Sequence, residues 1–485
     1  MPTPAGIDAG IPKGAVVTFS LRAAFLLLTM ALLSTPSFPQ AASAGQVTQP
    51  ERSLHIGGYG SFRFEANDLP GSSKGFTFRR FVVTTDARIS DRLRVYSETE
   101  FERLLEIEVE KEASREAGGV RFVSGTEGNN KAEIGVEQLW LQYDLGKNQA
   151  VRAGIILPPL GRFNINHDDD YYDVPRRTLV DRDAPVIPVK SAWREAGAGL
   201  VGSFNLGTQA KLNYQAYVMS GSTLNFNLEQ IAQTRVPSRS KQETEVEVEL
   251  QSGAVDGSQN ANAFSWRAAI SPRLAGEIAF SGYHGKYTPQ FMSISEPINA
   301  WGLDGKWRFG AFEVEGEGIY STFGNTRQVA ANFAEAVANS TVETTRTEAA
   351  QLESEIELEL KGLARRRYGF WTDFKYHWRP AFLKNSFLGR GFDDPQIIPI
   401  LRYDRVWIRQ EVSDLAFANR AVTTLDIANR QQHRITAGID FRPIQNVGFQ
   451  FAYEHNGRRE GDTLIFPEAA AGTTNGFVMG ATFSF

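Results

Sequence analysis

Alternation of apolar and polar residues with a period of two runs through most of the chain after Ser53. In "FVVTTDARI", which starts at Phe81, one face carries mostly apolar residues and the other carries Asp86 and Arg88. This period predicts β-strands, and lengths of about 9–11 residues suit strands that cross a membrane at a tilt. The predicted strands are roughly 54–64, 76–89, 93–109, 133–145, 149–157, 195–204, 210–219, 263–271, 276–287, 298–308, 311–322, 364–378, 395–405, 432–442, 447–456 and 475–485.

The connections between these segments alternate between tight turns and long loops. Turns such as Ser90 to Arg92 and Gly146 to Asn148 fall on one side, and the long connections fall on the other. This pattern predicts an all-β fold, a transmembrane antiparallel up-and-down β-barrel of about 16 strands. The segments "ETEVEVEL" and "ESEIELEL" also alternate, and we interpret them as strand extensions above the bilayer. Counting them as membrane strands leaves eighteen strands as an alternative.

The N-terminus predicts export. Lys13 and Arg22 precede the apolar run "AAFLLLTMALL", and the small-residue site "ASA" follows it. This order is typical of a secretory signal peptide, which we assign to residues 1–44. The alternative is a transmembrane anchor, but about 11 apolar residues fall short of the ~20 that span a bilayer. Residues 45–53 are then a short N-terminal segment, and 54–485 form the barrel.

Composition excludes several kinds of site. The chain has no Cys, and its 51 Lys+Arg against 56 Asp+Glu form no basic block, so no disulfide or nucleic-acid partner is expected. The six His lack metal-binding spacing, and no nucleophile or phosphate-binding motif is present. We therefore predict no catalytic residue, cofactor or metal. Aromatic residues towards strand ends are interpreted as an interfacial girdle, namely Trp140, Trp266, Trp301, Trp371 and Tyr453.

The third long connection, residues 158–194, carries the most functional information. It is rich in charge, yet Pro, Tyr and Trp favour an ordered path. The hypothesis is that this loop folds inward and narrows a wide barrel, so that its charges decide what passes. The alternative is a solvated outer loop. The predicted constriction residues are Arg162, Asp168, Asp169, Asp170, Arg176, Arg177, Arg182, Lys190 and Arg194.

Strand alternation also predicts which charges face the lumen. The inward positions carry both signs in opposed stripes, which favours weak ion preference over a cationic funnel. The predicted lumen-lining residues are Arg88, Arg94, Glu98, Glu100, Arg152, Lys211, Arg267, Lys306, Arg308, Glu313, Glu315 and Arg434.

Three stretches resemble the phosphate-selective porin O/P family of Gram-negative outer membranes. They are "GGYGSFRFE", "FTFRRFVVTTDARISDRLRVYSETEFE" and "VEQLWLQYDLGKNQAVRAGIILPPLGRF". The similarity implies an outer-membrane porin, a sixteen-stranded homotrimer in the cell outer membrane, with anion selectivity in some members. The expected function is passive diffusion of small polar or ionic solutes, with phosphate or other anions implied by the resemblance. Two alternatives stay open, a binding or adhesion barrel and a barrel enzyme without a recognisable site.

The chain ends on the apolar strand "GFVMGATFSF". In a closed barrel this strand pairs with the first and faces lipid, which removes the exposed edge. Phe485 resembles the terminal aromatic signal of barrel proteins and is the predicted assembly signal. The expected partners are therefore outer-membrane lipid and the outer-membrane assembly machinery, besides the solutes.

Overall fold

A computed structural model gives the fold of the chain. It describes residues 52–68, 74–103, 107–116, 119–128, 133–180, 186–187, 189, 192–236, 239–252, 263–273, 275–338, 356–361, 363–418, 421–458 and 473–485. The predicted signal peptide lies outside the described residues, as do the predicted constriction residues Arg182 and Lys190.

Strands make up most of the described chain. In the first half they are β1 (Ser53–Asn67), β2 (Gly75–Ser90), β3 (Leu93–Glu102), β4 (Ile107–Glu116), β5 (Gly119–Gly128), β6 (Glu133–Asp144), β7 (Gln149–Ile156), β8 (Glu195–Leu206), β9 (Ala210–Met219), β10 (Ser222–Val236) and β11 (Arg239–Ser252). In the second half they are β12 (Ala263–Arg273), β13 (Gly276–Lys286), β14 (Pro297–Phe309), β15 (Phe312–Phe323), β16 (Ile356–Lys361), β17 (Ala364–Tyr376), β18 (Gln396–Ala418), β19 (Ala421–Ile444), β20 (Val447–Arg458) and β21 (Thr474–Ser484).

Sixteen of these strands close into one antiparallel barrel. Each barrel strand pairs with the next one along the chain, and β9 pairs with β12 and β15 with β17 across long connections. The ring closes where β21 pairs with β1, with Phe64 opposite Met479. The predicted up-and-down barrel and its strand count are confirmed. The apolar terminal strand is a paired member of the ring, as closure requires.

The eighteen-strand alternative is wrong. The second alternating segment does extend a barrel strand, because β16 ends three residues before β17 begins and pairs with the outer end of β18, the strand that β17 also pairs with. Residues 243–250 belong to β11, which forms a hairpin with β10 outside the ring. Residues 356–360 belong to β16, which pairs parallel to β11 and antiparallel to the outer end of β18. Both segments therefore pair with other strands beyond the barrel.

Other boundaries differ from prediction. Strand β3 ends at Glu102, and the hairpin of β4 and β5 follows it as a separate two-stranded sheet. Residues 406–418 and 421–431, expected to be a loop, extend β18 to 23 residues and β19 to 24. Their pairing has three register shifts and supplies hydrogen-bond partners to the backbone groups beyond the predicted strand ends. On the turn side, where tight turns were predicted, residues 377–395 form a long connection between β17 and β18.

The outer wall is apolar where it is most exposed. Leu303, Phe451 and Met479 are 60, 53 and 41 % exposed, and similar residues recur at every second position of the barrel strands. Burial of such a surface in water-free lipid matches the outward band of a membrane-spanning barrel. The described helices are α1 (Gly161–Ile165), α2 (Thr326–Ala338) and α3 (Ala381–Asn385). Within the described residues, no helix is long and apolar enough to cross a membrane.

Candidate functional site

The inner face of the barrel is built from charged side chains that the third loop covers. Along β15, for example, Glu313, Glu315 and Glu317 are buried while Phe312 and Tyr320 on the other face are exposed. Carboxylates and guanidinium groups buried at this density require partners. The loop between β7 and β8 supplies many of them.

The loop enters the barrel immediately after β7. Gly161, with a φ of 69°, begins α1 and donates its N–H to Ser281 Oγ at 2.9 Å. The N–H of Phe163 donates to Glu317 Oε2 at 2.6 Å. These bonds pair two of the amides that the first turn of a helix leaves without partners. They fix the loop against β13 and β15, on the inner wall.

Aromatic side chains form a core between loop and wall. The Phe163 and Tyr172 rings stack with centroids 4.8 Å apart, and Trp371 of β17 meets Phe163 edge-on at 6.3 Å. Trp140 of β6 belongs to the same buried cluster. The girdle assignment is therefore wrong for Trp140 and Trp371, which face inward. That assignment relied on proximity to strand ends, whereas strand alternation places both residues on the inner face.

Polar groups of the wall hold the backbone of the loop at many points. The bonds come from β15, β18 and β20, whereas the loop leaves the ring at β7 and returns to it at β8, so the loop crosses the lumen. They run from Arg402 to the carbonyl of Arg176 (2.9 Å), from Gln450 to that of Tyr172 (2.6 Å), from Ser321 to that of Val186 (2.7 Å) and from the N–H of Leu179 to Asp404 (3.1 Å).

The acidic and basic residues of the loop are matched by the wall. Asp173 contacts Lys375 Nζ at 2.8 Å and Arg442 at 3.0 Å. Burial alone would raise the pKa of Asp173, but the charges of Lys375 and Arg442 outweigh it and hold the pKa well below its usual range. Asp173 is therefore ionised at neutral pH.

Two further pairs anchor the stretch around Arg176. Arg176 donates to Glu454 at 2.7 Å and to Glu65 at 2.8 Å. Asp169 accepts from Ser61 Oγ at 2.8 Å and from Arg177 Nε at 3.3 Å. These contacts join the loop to β1 and β20, on the two sides of the closing seam.

Arg162 sits among three wall carboxylates. Its guanidinium group lies 3.2 Å from Glu277, 3.6 Å from Asp304 and 3.5 Å from Glu315. Burial alone would lower the pKa of Arg162, but Glu315 and its neighbours raise it. This permanently charged group neutralises acidic side chains that three strands bring together.

His167 forms a second acidic cluster with residues of β3 and β6. Its Nε2 contacts Glu137 Oε2 and lies 3.9 Å from Glu98 Oε1 and 3.7 Å from Asp168 Oδ1. Burial alone would lower the pKa of His167, but Glu137 and Asp168 raise it to about 10. A register shift opposite Glu98 and Thr99 forms a β-bulge at Glu137, so Glu137 and the adjacent Gln138 both contact inward groups.

One sector of the inner wall keeps charged groups in contact with water. Arg94 and Asp86 are 38 and 34 % exposed and form an ion pair with Arg94 Nε 2.7 Å from Asp86. The Arg152 guanidinium lies 3.9 Å from the Trp140 ring, and Asp168 of the loop is 36 % exposed. Water-accessible charges therefore remain between this sector and the loop.

All twelve residues predicted to line the lumen fall on the inward positions of their strands. Six are closed in by the loop or by neighbouring strands, namely Glu98, Glu100, Arg267, Glu313, Glu315 and Arg434. Six keep water-accessible surface, namely Arg88, Arg94, Arg152, Lys211, Lys306 and Arg308. Of the constriction residues, Arg194 lies 4.0 Å from Glu137, and the carbonyl of Asp170 accepts from Arg442.

Sequence reasoning missed several residues that hold the loop. They are Ser61, Arg63, Glu137, His167, Glu317, Asp404 and Gln450. The strand residues lie at inward positions of the apolar–polar alternation, and the same alternation had identified their neighbours as lumen-lining. For Glu137 no local signal existed, because the bulge depends on pairing with β3.

Comparison with known proteins adds distant likeness only. No family model matches the chain. An uncharacterized protein of Aquifex aeolicus is 26% identical over 179 residues, which is 37% of this chain and 35% of that protein's length. The chain thus spans about a third of this relative.

Among solved structures the similar ones are barrels with low sequence identity. An anion-selective porin from Comamonas acidovorans has a TM-score of 0.47 at 10% identity, covering 90% of this chain and 100% of that one. OmpF of Salmonella typhi has a TM-score of 0.47 at 10% identity, covering 89% and 97%. The channel DcaP of Acinetobacter baumannii has a TM-score of 0.40 at 8% identity, covering 92% and 100%.

Proposed function

We propose that this chain is an outer-membrane channel through which small polar solutes diffuse, and that residues 158–194 narrow its path. The observation that carries the proposal is the division of the inner wall. The loop closes in part of it, while Asp86, Arg94 and Arg152 keep water contact and Asp168 of the loop is partly exposed. A barrel of sixteen strands without such a loop would enclose a wide aqueous channel.

The ion preference of this path is expected to be weak. Its wall side has Arg94 and Arg152 together with Asp86, which pairs with Arg94, and its loop side has Asp168 and the partly exposed Asp170. Opposed charges create a field across the path and leave little net charge along it. The phosphate selectivity implied by the family resemblance is thus not the function we propose.

The test is a planar-bilayer measurement of refolded protein in a salt gradient, with liposome swelling by small sugars in parallel. We expect conducting channels, a reversal potential close to zero and sugar uptake. The variant Arg152→Glu should shift the reversal potential towards cations, because it changes a charge beside the path. The control Arg379→Glu alters an exposed arginine of the turn segment and should leave the potential unchanged. A strongly anion-selective wild type would contradict the weak preference, and absence of both conductance and uptake would contradict the channel.

A binding barrel is the second candidate, and one observation favours it. Strands β10, β11 and β16 and the outer ends of β18 and β19 pair beyond the barrel and form an ordered platform on the long-loop side. Such a platform suits a partner outside the membrane. Protein that inserts as a closed, non-conducting barrel and gives no sugar uptake would favour this candidate over the channel.

Phe485 lies at the closing seam of the barrel. The N–H of Phe485 donates to the carbonyl of Gly58 at 3.0 Å, and its exposed ring lies 6.2 Å from that of Phe81. The proposal keeps Phe485 as the assembly signal and residues 1–44 as a cleaved signal peptide. A polar tail after Phe485 should reduce membrane insertion in cells, and normal insertion would remove this role. A homotrimer is also proposed, and its test is the mass of the detergent-solubilised protein.

A further inference from the structure

The cluster around His167 concentrates buried charge of both signs. Four carboxylates meet there, those of Glu98, Glu100, Glu137 and Asp168. Arg80 pairs with Glu100 at 3.0 Å, and Arg194 approaches Glu137 at 4.0 Å. Arg177 also faces Glu100 and Asp168. Buried carboxylates at this density need hydrogen bonds or cations as partners.

The donor atoms converge on one point. Glu98 is 1 % exposed, and its Oε1 has no hydrogen-bond partner within the described residues. That atom is 3.9 Å from His167 Nε2, and Asp168 Oδ1 is 3.7 Å from the same nitrogen. Zinc ligands held at about 2.0–2.1 Å in a tetrahedron lie about 3.4 Å apart. The ligand atoms of His167, Glu98 and Glu137 all lie within 4.8 Å of one another, so small side-chain shifts would give them this spacing.

The surroundings orient Glu98 for such a role. Gln138 Nε2 donates to Glu98 Oε2 at 2.7 Å, and Tyr96 donates to the same oxygen at 3.3 Å. These bonds hold one oxygen and leave Oε1 directed at His167. Metal sites commonly orient their carboxylates through outer hydrogen bonds of this kind. The partly exposed Asp168 gives a cation a route from the water-filled side.

We infer that Glu98, Glu137 and His167 form a binding site for a divalent transition-metal ion such as Zn²⁺, which ties the third loop to β3 and β6. One imidazole with carboxylates suits Zn²⁺ better than Mg²⁺ or Ca²⁺, which prefer oxygen ligands alone. The sequence concealed this site because its ligands come from three distant segments.

The test is calorimetric titration of EDTA-treated, tag-free protein in detergent with ZnCl₂. We expect one site per chain, and much weaker binding of CaCl₂. His167→Gln should abolish that site, and Gln138→Ala should weaken it about tenfold by releasing Glu98. The control His377→Gln removes a histidine that lies 3.4 Å from Glu313 in another part of the barrel, and it should bind as wild type does.

Two further controls keep the result decisive. His433 and His455 lie with ring centroids 6.3 Å apart, so the titration is repeated with His455→Gln, which should retain the high-affinity site. If His167→Gln fails to fold, Glu98→Gln replaces it, because the affected oxygen has no hydrogen bond to lose. Wild-type protein without Zn²⁺ binding, or a folded cluster variant that binds equally well, would overturn the site. Metal binding is independent of conductance, so this result and the channel test can fail separately.

Discussion

The backbone N–H of Phe163 in the third loop donates to the carboxylate of Glu317 in the barrel wall, 2.6 Å away. The donor lies in the first turn of a short helix and the acceptor on the inner face of β15. This bond fixes the first turn of the third loop against the inner wall at β15. The position of the loop therefore depends on a strand 154 residues further along the chain.

Replacing Glu317 with Ala should loosen the entry of the loop. The buried N–H of Phe163 would lose its partner, at a cost of about 1–3 kcal/mol. We expect a lower melting temperature and noisier open-channel current. The control is Glu296→Ala, which removes a carboxylate that accepts the N–H of Asn325 at 3.0 Å in an exposed segment. Water replaces that bond, so equal destabilisation by both variants would contradict the anchoring role.

Gly161 should not tolerate a side chain. Its φ of 69° is in the left-handed region, and an added Cβ would lie 2.6 Å from Glu317 Cδ. The backbone alone costs an L-residue about 1–2 kcal/mol. Gly310 has a φ of 63° and open space around it, so its replacement by Ala measures the backbone cost alone. Thermal unfolding should show Gly161→Ala to be more destabilising than Gly310→Ala, and equal effects would mean that the contact with Glu317 does not matter.

The substitution Arg402→Ala should strongly lower the free energy of unfolding. Arg402 and Asp373 are both fully buried, and the guanidinium group donates to Asp373 at 2.6 and 2.8 Å and to the loop carbonyl of Arg176. Removing one partner leaves a buried charge, which costs about 3–5 kcal/mol. The exposed pair of Arg379 and Asp394 is worth about 0–1 kcal/mol. Denaturant unfolding of Arg402→Ala and Arg379→Ala should therefore differ by several kcal/mol, and similar values would contradict the buried anchor.

The stability that Asp173 contributes should decrease as the pH falls. Burial alone would raise the pKa of Asp173, but Lys375 and Arg442 hold it well below the usual value. A lowered pKa gives stability that is present above the unfolded value near 4 and is lost as pH falls towards the folded one. The difference in melting temperature between wild type and Asp173→Asn should be constant from about pH 5 to 8 and shrink below about pH 4. A difference that grows on acidification would contradict this sign.

Strand alternation predicted the barrel because successive side chains face lipid and the interior in turn. Apolar residues therefore recur at every second position. Leu303 and Asp304 illustrate it, since one is 60 % and the other 3 % exposed. The outer ends of β18 and β19 escaped prediction because pairing above the bilayer needs no apolar face. The prediction used the length of about 9–11 residues that crosses a bilayer, and it therefore ended both strands too early.

The site was less predictable than the fold. The charge-rich loop was recognisable from its own residues, and Arg162, Asp169 and Arg176 indeed contact the wall. Which wall residue each one meets depends on the path of the loop across the lumen, and no local pattern encodes that path. Glu137 and His167 are the clearest case, because a bulge and a loop turn bring them together.

The central claim is that the third loop narrows a conducting barrel, and single-channel conductance tests it directly. Asn164 and Trp193 exchange two hydrogen bonds, at 3.0 and 3.1 Å, so residues 165–192 can be replaced by Gly-Gly with the ends already in contact. The shortened barrel should insert and conduct several-fold more current than wild type in the same salt. A shortened barrel that inserts and shows unchanged conductance would contradict the account.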